Sequence, residues 1–393
     1  MAVDSTQFIT RRLNFIRHGY ELARKRLSVG PVIRIAIILL ALALAFIPIP
    51  AALVERYYSN GLYPWLQSIL TPVANLIPFA LVDVLVASLV LGLPALWIVR
   101  IVKAGRGRRK RMAARLAFQT AVLASVAFLC FQLLWGFNYE RQSLVARLDY
   151  DEQRLTRDSL RQLRLMAIEQ LNAESPEAHY GQGIDEESWR ERLHSAFDDT
   201  VVQLGNSRGI APAVPKTSLL NFYMTAAGIE GFVNPFGQEV ILDSEIFAFE
   251  KPFLLAHEWA HLAGFADESE ASFVGLLACL RSDVSLLRYS GLLALYQYTP
   301  RLPPATPEEL KEAASADLQP RLLPEVIADL QAINERDDKH RNATISRVQW
   351  AVYDRFLKAN RVRAGIGSYS RFVRLVLGTR FDPDWVPARR DDL

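Results

Sequence analysis

Phe253-Leu254-Leu255-Ala256-His257-Glu258-Trp259-Ala260-His261-Leu262-Ala263-Gly264 is the stretch from which the rest of the chain is read. It holds His-Glu-x-x-His. Residues four apart lie about one helical turn from each other, so on a helix His257 and His261 project from one face and can grip one ion. Zinc takes imidazole nitrogens in a tetrahedral site and, where catalytic, keeps one position for water. Glu258, beside the first histidine, is placed to take a proton from that water. The motif is short, and two surface histidines on an ordinary helix would carry the same letters.

Its neighbours favour the metal. Trp259, Ala260 and Leu262 carry no charge, which suits a helix buried beneath a cleft, and Gly264 offers the chain an exit. Beyond it, Asp267-Glu268-Ser269-Glu270-Ala271-Ser272-Phe273 opens a second apolar helix with acids, expected over 270–282. Asp267 and Glu270 have the spacing of a capping pair, although the usual capping box begins with Ser or Thr. A two-histidine site needs a third protein ligand, and this acidic turn can supply it. Asp267 stands where the metzincin spacing puts that ligand. Glu270, nine residues past His261 on a separate helix, has the gluzincin arrangement. Spacing alone leaves both open.

The same stretch resembles a bacterial membrane family catalogued as domain-of-unknown-function family 3810. Its pattern reads Pro-Phe, a short gap, His-Glu-x-x-His-x-x-Gly-Phe, then Glu-x-Glu-Ala-Asn/Ser-Phe. Here it is met by Pro252-Phe253, His257-Glu258, His261, Gly264-Phe265, Glu268 and Glu270-Ala271-Ser272-Phe273. Further elements resemble the family at Trp135-Gly136-Phe137-Asn138-Tyr139, Pro235-Phe236-Gly237, Tyr289-Ser290-Gly291, Tyr353-Asp354-x-Phe356 and Ser368-Tyr369-x-Arg371. The resemblance implies a zincin-like metallopeptidase fold with His257, His261 and Glu270 as ligands, Asp267 being the second choice. It names no substrate.

Composition adds a membrane. Of 393 residues, 51% are hydrophobic, and mean hydropathy is +0.10, both high for a purely soluble protein. Cys130 and Cys279 imply no disulfide framework and are expected as buried single thiols. The formal charge of +3 conceals segregation: residues 1–34 hold seven Lys/Arg against two acids, and residues 100–115 hold eight Lys/Arg and no acid. Nucleic-acid binding would put such a patch on a folded domain. Here the clusters flank apolar runs, at 35–54, 76–99 and 116–135, each about 20 residues long and so able to span a hydrocarbon core. By the positive-inside rule the N-terminus and loop 100–115 are cytoplasmic, and everything after Trp135 lies outside. The basic leader is too long for a cleaved signal peptide, which makes the first span a retained anchor. In the loop 55–75, Tyr57, Tyr58, Tyr63 and Trp65 form an expected interfacial belt. Asp83, near the end of a span, reaches the interface.

The remainder reads as helices at 151–174, 186–204, 284–299, 307–316, 321–335, 342–362 and 367–378, with a solvated tail at 389–393. Strands are expected around Leu219, Leu220, Phe222 and Tyr223 and at Glu239-Val240-Ile241-Leu242, joined through Asn234-Pro235-Phe236-Gly237. His179 and His194 lack paired spacing and read as ordinary polar residues.

The sequence therefore predicts a mainly α protein: a basic N-terminus (1–34), a three-helix membrane anchor (35–135) and an extracytoplasmic zincin-like domain with a small sheet (136–393). The expected activity is zinc-dependent hydrolysis of peptide bonds, with Glu258 as general base and Tyr289, Tyr296 or Tyr353 stabilising the oxyanion. Expected partners are the bilayer and a protein, peptide or cell-wall peptide substrate, with no nucleic acid. An intramembrane protease is excluded by length, since Lys251 and Asp267 leave fewer residues between them than a span needs. A non-catalytic zinc-binding envelope scaffold is the alternative.

Overall fold

The computed structural model describes residues 30–181, 183–301, 321–362 and 371–390. The expected helix 307–316, the start of the one at 367–378 and most of the basic leader lie outside them. Among the described residues the protein is mainly helical with one two-stranded sheet. It divides into two compact units, one of residues 1–48 and 89–133, the other of residues 49–88 and 134–393.

The first unit holds α1 (Gly30–Phe46), most of α3 (Leu81–Lys103) and α4 (Arg106–Leu134). Both α3 and α4 are long and apolar enough to cross a membrane. A third span is counted if α1 and the helical run after it are taken together. The first expected span, 35–54, is thus interrupted: α1 stops ahead of Pro48 and Pro50, which cannot donate to a helical ladder. Cys130, expected to be buried, is exposed on α4, whereas Cys279 is buried.

In the second unit the segment expected as a loop at 55–75 is helical instead. This is α2 (Ala51–Asn75), whose residues Val54–Leu62 wind as π-helical turns. It packs with the rest of this unit, so chain before α3 and chain after α4 share one body. Asp83, in the first turn of α3, accepts hydrogen bonds from the Leu219 N–H at 2.9 Å and the Ser218 hydroxyl. Glu239 accepts from the N–H groups of Leu81 and Val82 at 3.0 and 2.9 Å, and Lys216 pairs with it at 2.9 Å.

The longer helices that follow are α5 (Arg157–Tyr180), α6 (Glu186–Gln203), α7 (Asn221–Ala227), α8 (Lys251–Leu262), α9 (Glu268–Leu280), α10 (Ser285–Tyr298), α11 (Pro324–His340), α12 (Ala343–Ala359) and α13 (Phe372–Gly378). All but α7 and α12 contribute to one core. Every residue of α9 is buried, and Trp259, Phe197, Leu193, Leu255, Phe273 and Leu276 fill the space around α8. The strand expected at Leu219–Tyr223 is α7, whose end is set by Gly228 in the left-handed region. The sheet is formed later, by β1 (Gly231–Asn234) and β2 (Glu239–Leu242), antiparallel with Asn234 opposite Glu239. Lys216 bridges the far side of β2 through the Lys216 N–H to Val240 and the Leu242 N–H to Lys216, leaving β1 as the edge. The expected solvated tail is tied down as far as described: Leu148 and Arg389 bridge, and the Arg390 guanidinium donates to the Leu148 carbonyl.

Candidate metal centre

The motif lies on α8, and Pro252 in its first turn suits a helix start, where no N–H partner is needed. His257, Glu258 and His261 are all buried, so the two histidines are not surface residues. At the far end Gly264 takes φ 86°, and a Cβ there would lie 2.9 Å from the Asn138 side-chain oxygen. The Trp135-Gly136-Phe137-Asn138-Tyr139 element closes the same corner. The Trp135 indole donates to the His261 carbonyl at 2.8 Å, and the Tyr63 hydroxyl donates to that of Leu262 at 2.8 Å.

The turn then delivers α9 against α8. Asp267 is its N-cap, accepting from the Ser269 N–H at 3.0 Å, so the helix starts at Glu268, two residues earlier than expected. That start decides which acid faces the histidines. Residues two apart on a helix are about 200° apart around it, so Glu268 and Glu270 cannot share a face, whereas Glu268, Ser272 and Gly275 can. Gly275 permits the close crossing, since a Cβ there would lie 3.0 Å from the His257 backbone nitrogen.

Glu268, not Glu270, therefore reaches the motif. Its Oε2 lies 3.2 Å from His257 Nε2 and 3.3 Å from His261 Nε2, and the two Nε2 atoms are 3.2 Å apart. Among the described residues these three side chains form the one group arranged to hold a metal ion. Glu270 turns the other way, where its carboxylate accepts the Leu144 N–H at 2.6 Å; burial, with Asp267 adding, pushes it up to about 7. Asp267, the alternative, caps α9 and pairs with Arg371 at 2.5 Å.

The donor set fits a small tetrahedral cation. Bonds of about 2.0 Å at tetrahedral angles would place ligand atoms about 3.3 Å apart, close to the three separations here. The imidazoles are also oriented for it. His261 Nδ1 lies 2.8 Å from the Phe265 carbonyl, a pure acceptor, so that nitrogen carries the hydrogen and Nε2 offers a lone pair. His257 Nδ1 meets the Ser272 hydroxyl at 3.2 Å. Glu268 is steadied by a hydrogen bond from the Tyr353 hydroxyl on α12. Burial opposes charge on His261, but the Glu268 carboxylate outweighs it and raises the imidazole to about 9. Burial would raise Glu268 too, and the two imidazoles overcome it, holding the carboxyl well below its usual range. Burial pushes His257 down.

Glu258 stands apart from the ligands. Its Oε2 is buried and has no hydrogen-bond partner among the described residues, and burial pushes its carboxyl up to about 8. It faces β1, where a Cβ on Gly231 would fall 2.9 Å from its Oε1. Of the three tyrosines considered for the oxyanion, Tyr353 alone is placed at the cluster. Tyr289 donates to Asp329 at 2.5 Å, and Tyr296 lies under the Arg164 guanidinium. His179 and His194 are elsewhere, against Asp329 and Asp198. Sequence reasoning missed Glu268, Ser272 and Tyr353 as a set. The available signal was Asp267 read as an N-cap, which puts Glu268 and Ser272 on one stripe.

No curated protein and no solved structure matches the chain. One family does, over residues 58–377, a span that takes in the motif, the acidic turn, Tyr353 and the Trp135–Tyr139 element. The chain thus belongs to the family described as a protein of unknown function, DUF3810.

Proposed function

We propose that this protein is a membrane-anchored, zinc-dependent metallopeptidase whose domain works outside the cytoplasm. His257, His261 and Glu268 are the ligands in this reading. The observation that carries it is the convergence of three donor atoms at 3.2–3.3 Å beside a buried carboxylate with a free oxygen. When bound, zinc supplies a Lewis acid that polarises a carbonyl and lowers the pKa of water to about 7. The chain supplies the rest. Phe265 and Ser272 hold the imidazoles in register, and Tyr353 holds Glu268. Glu258, with one oxygen unengaged, takes a proton and returns it to the leaving amine. The open edge of β1, beside α8 and against Glu258, is placed to pair with an extended peptide by strand addition.

The test is Glu258→Gln in the full-length protein, which keeps the side chain's size and removes the base. Zinc content per chain should match that of the wild type, and hydrolysis of a mixed peptide library should fall about 10²–10⁴-fold. Full activity in the variant would remove Glu258 from the mechanism. A wild-type protein that binds zinc and cleaves nothing across peptide and cell-wall substrates would be the scaffold.

A further inference from the structure

Helix α2 is amphipathic in the reverse sense. The side it turns to the domain carries the polar residues Glu55, Ser59, Gln67 and Thr71, all buried there beside Val54, Tyr58, Tyr63 and Ala74. Each of the four polar side chains is engaged. Glu55 pairs with Arg141 at 2.8 Å and Arg147 at 3.1 Å, and the Ser59 hydroxyl donates to Asn138 at 2.8 Å. The Gln67 amide donates to the Ala211 carbonyl at 2.7 Å, and Thr71 donates to the Gln238 carbonyl at 2.9 Å. The side it turns away is apolar: Trp65 is 53% exposed, Ile69 45%, Val73 54% and Leu76, just beyond its end, 83%. These four recur every three or four residues, so they form one stripe.

A water-facing helix has the opposite pattern, because apolar area left in water costs about 25 cal/mol per Å². An apolar stripe outside a polar one is what a hydrocarbon solvent selects. Chain continuity names that solvent. The helix is preceded by the apolar α1 and followed within six residues by α3, which is long and apolar enough to cross a membrane. Trp65 gives the stripe an aromatic of the kind that settles at the headgroup boundary.

We propose that α2 is seated in the lipid layer, with Trp65, Ile69, Val73 and Leu76 against acyl chains and its polar side packed on the domain. The bilayer is the occupant of this face, and the segment is no aqueous connection between spans. Through Tyr63 and the Leu262 carbonyl, the C-terminal end of α8 is bonded to this lipid-seated helix. The inference does not depend on the metal reading.

The full-length protein in liposomes tests it. In a Cys130→Ala background, nitroxides are placed at Ile69→Cys, Val73→Cys and, as an aqueous reference, Tyr180→Cys, which is 74% exposed on α5. Collision with oxygen relative to a water-soluble nickel complex should be several-fold higher at 69 and 73 than at 180. Equal values at all three would put the stripe in water and overturn the proposal. Low collision with both reagents at 69 and 73 would show a protein covering and overturn it as well. Quenching by brominated lipid gives a second reading without a label: of the seven tryptophans, Trp65 should contribute, so Trp65→Phe should lower the quenched signal. An unchanged quenched signal would count against the proposal.

Discussion

Glu268 and Glu270 differ by two positions and by everything that surrounds them. One carboxylate faces two imidazoles and is held ionised; the other accepts a backbone N–H and is pushed toward its neutral form. Exchanging their roles would require turning α9 by about half a revolution. Glu268→Ala should therefore abolish stoichiometric zinc, measured as metal per chain, while Glu270→Ala should retain it. The second variant carries a different cost, about 1–3 kcal/mol of stability, because the buried Leu144 N–H loses its acceptor. Zinc lost from Glu270→Ala but kept in Glu268→Ala would reverse the assignment. Tyr353 reaches Glu268 through its hydroxyl. Tyr353→Phe should weaken zinc binding about 10–100-fold in a chelator competition, the usual effect of removing a partner behind a ligand. Unaltered affinity would show that Glu268 needs no such support.

At the scale of elements, the centre depends on two helices meeting at a sharp corner. Trp259, Leu255 and Leu276 supply its apolar packing, but the angle is set where α8 ends. Gly264 is held there in the left-handed region, with Asn138 against the place a side chain would occupy. A left-handed non-glycine residue costs about 1–2 kcal/mol before any clash. Gly264→Ala should thus destabilise the protein by about 2 kcal/mol or more in denaturant unfolding and reduce zinc occupancy with it. A variant as stable as the wild type would mean that the corner is not constrained. The sheet has its own anchor: Glu239 on β2 holds the first N–H groups of α3, so the strands beside the centre are bonded to the helix that follows α2.

For the whole molecule, the packing of residues 49–88 with 134–393 bears on topology. Chain before α3 and chain after α4 belong to one body, so if α3 and α4 both cross a membrane the two flanks lie on the same side of it. In the orientation proposed above, the basic cluster at 100–115 lies on the opposite, cytoplasmic side. A reporter fused at the C-terminus should report an extracytoplasmic position, and one at residue 107 a cytoplasmic one. A cytoplasmic C-terminus would overturn the orientation and the compartment proposed for the centre.

The sequence by itself determined what is local or periodic. Fixed spacing puts His257 and His261 on one helical face, apolar runs of about 20 residues mark α3 and α4, and Gly264 marks the end of the motif helix. Alternation located β2. Three things were decided only in the tertiary structure. The third acid depended on where α9 begins, and a shift of two residues in a helix start carries a side chain to the other face. The run Leu219–Tyr223 is apolar enough for a strand but folds as the short helix α7, because Gly228 ends it and β1 follows later. The segment at 55–75 looked like a loop because a helix with one polar and one apolar face carries no sign of which face meets the protein. Only contact with Arg141, Ala211 and Gln238 shows that here it is the face that carries Glu55, Gln67 and Thr71.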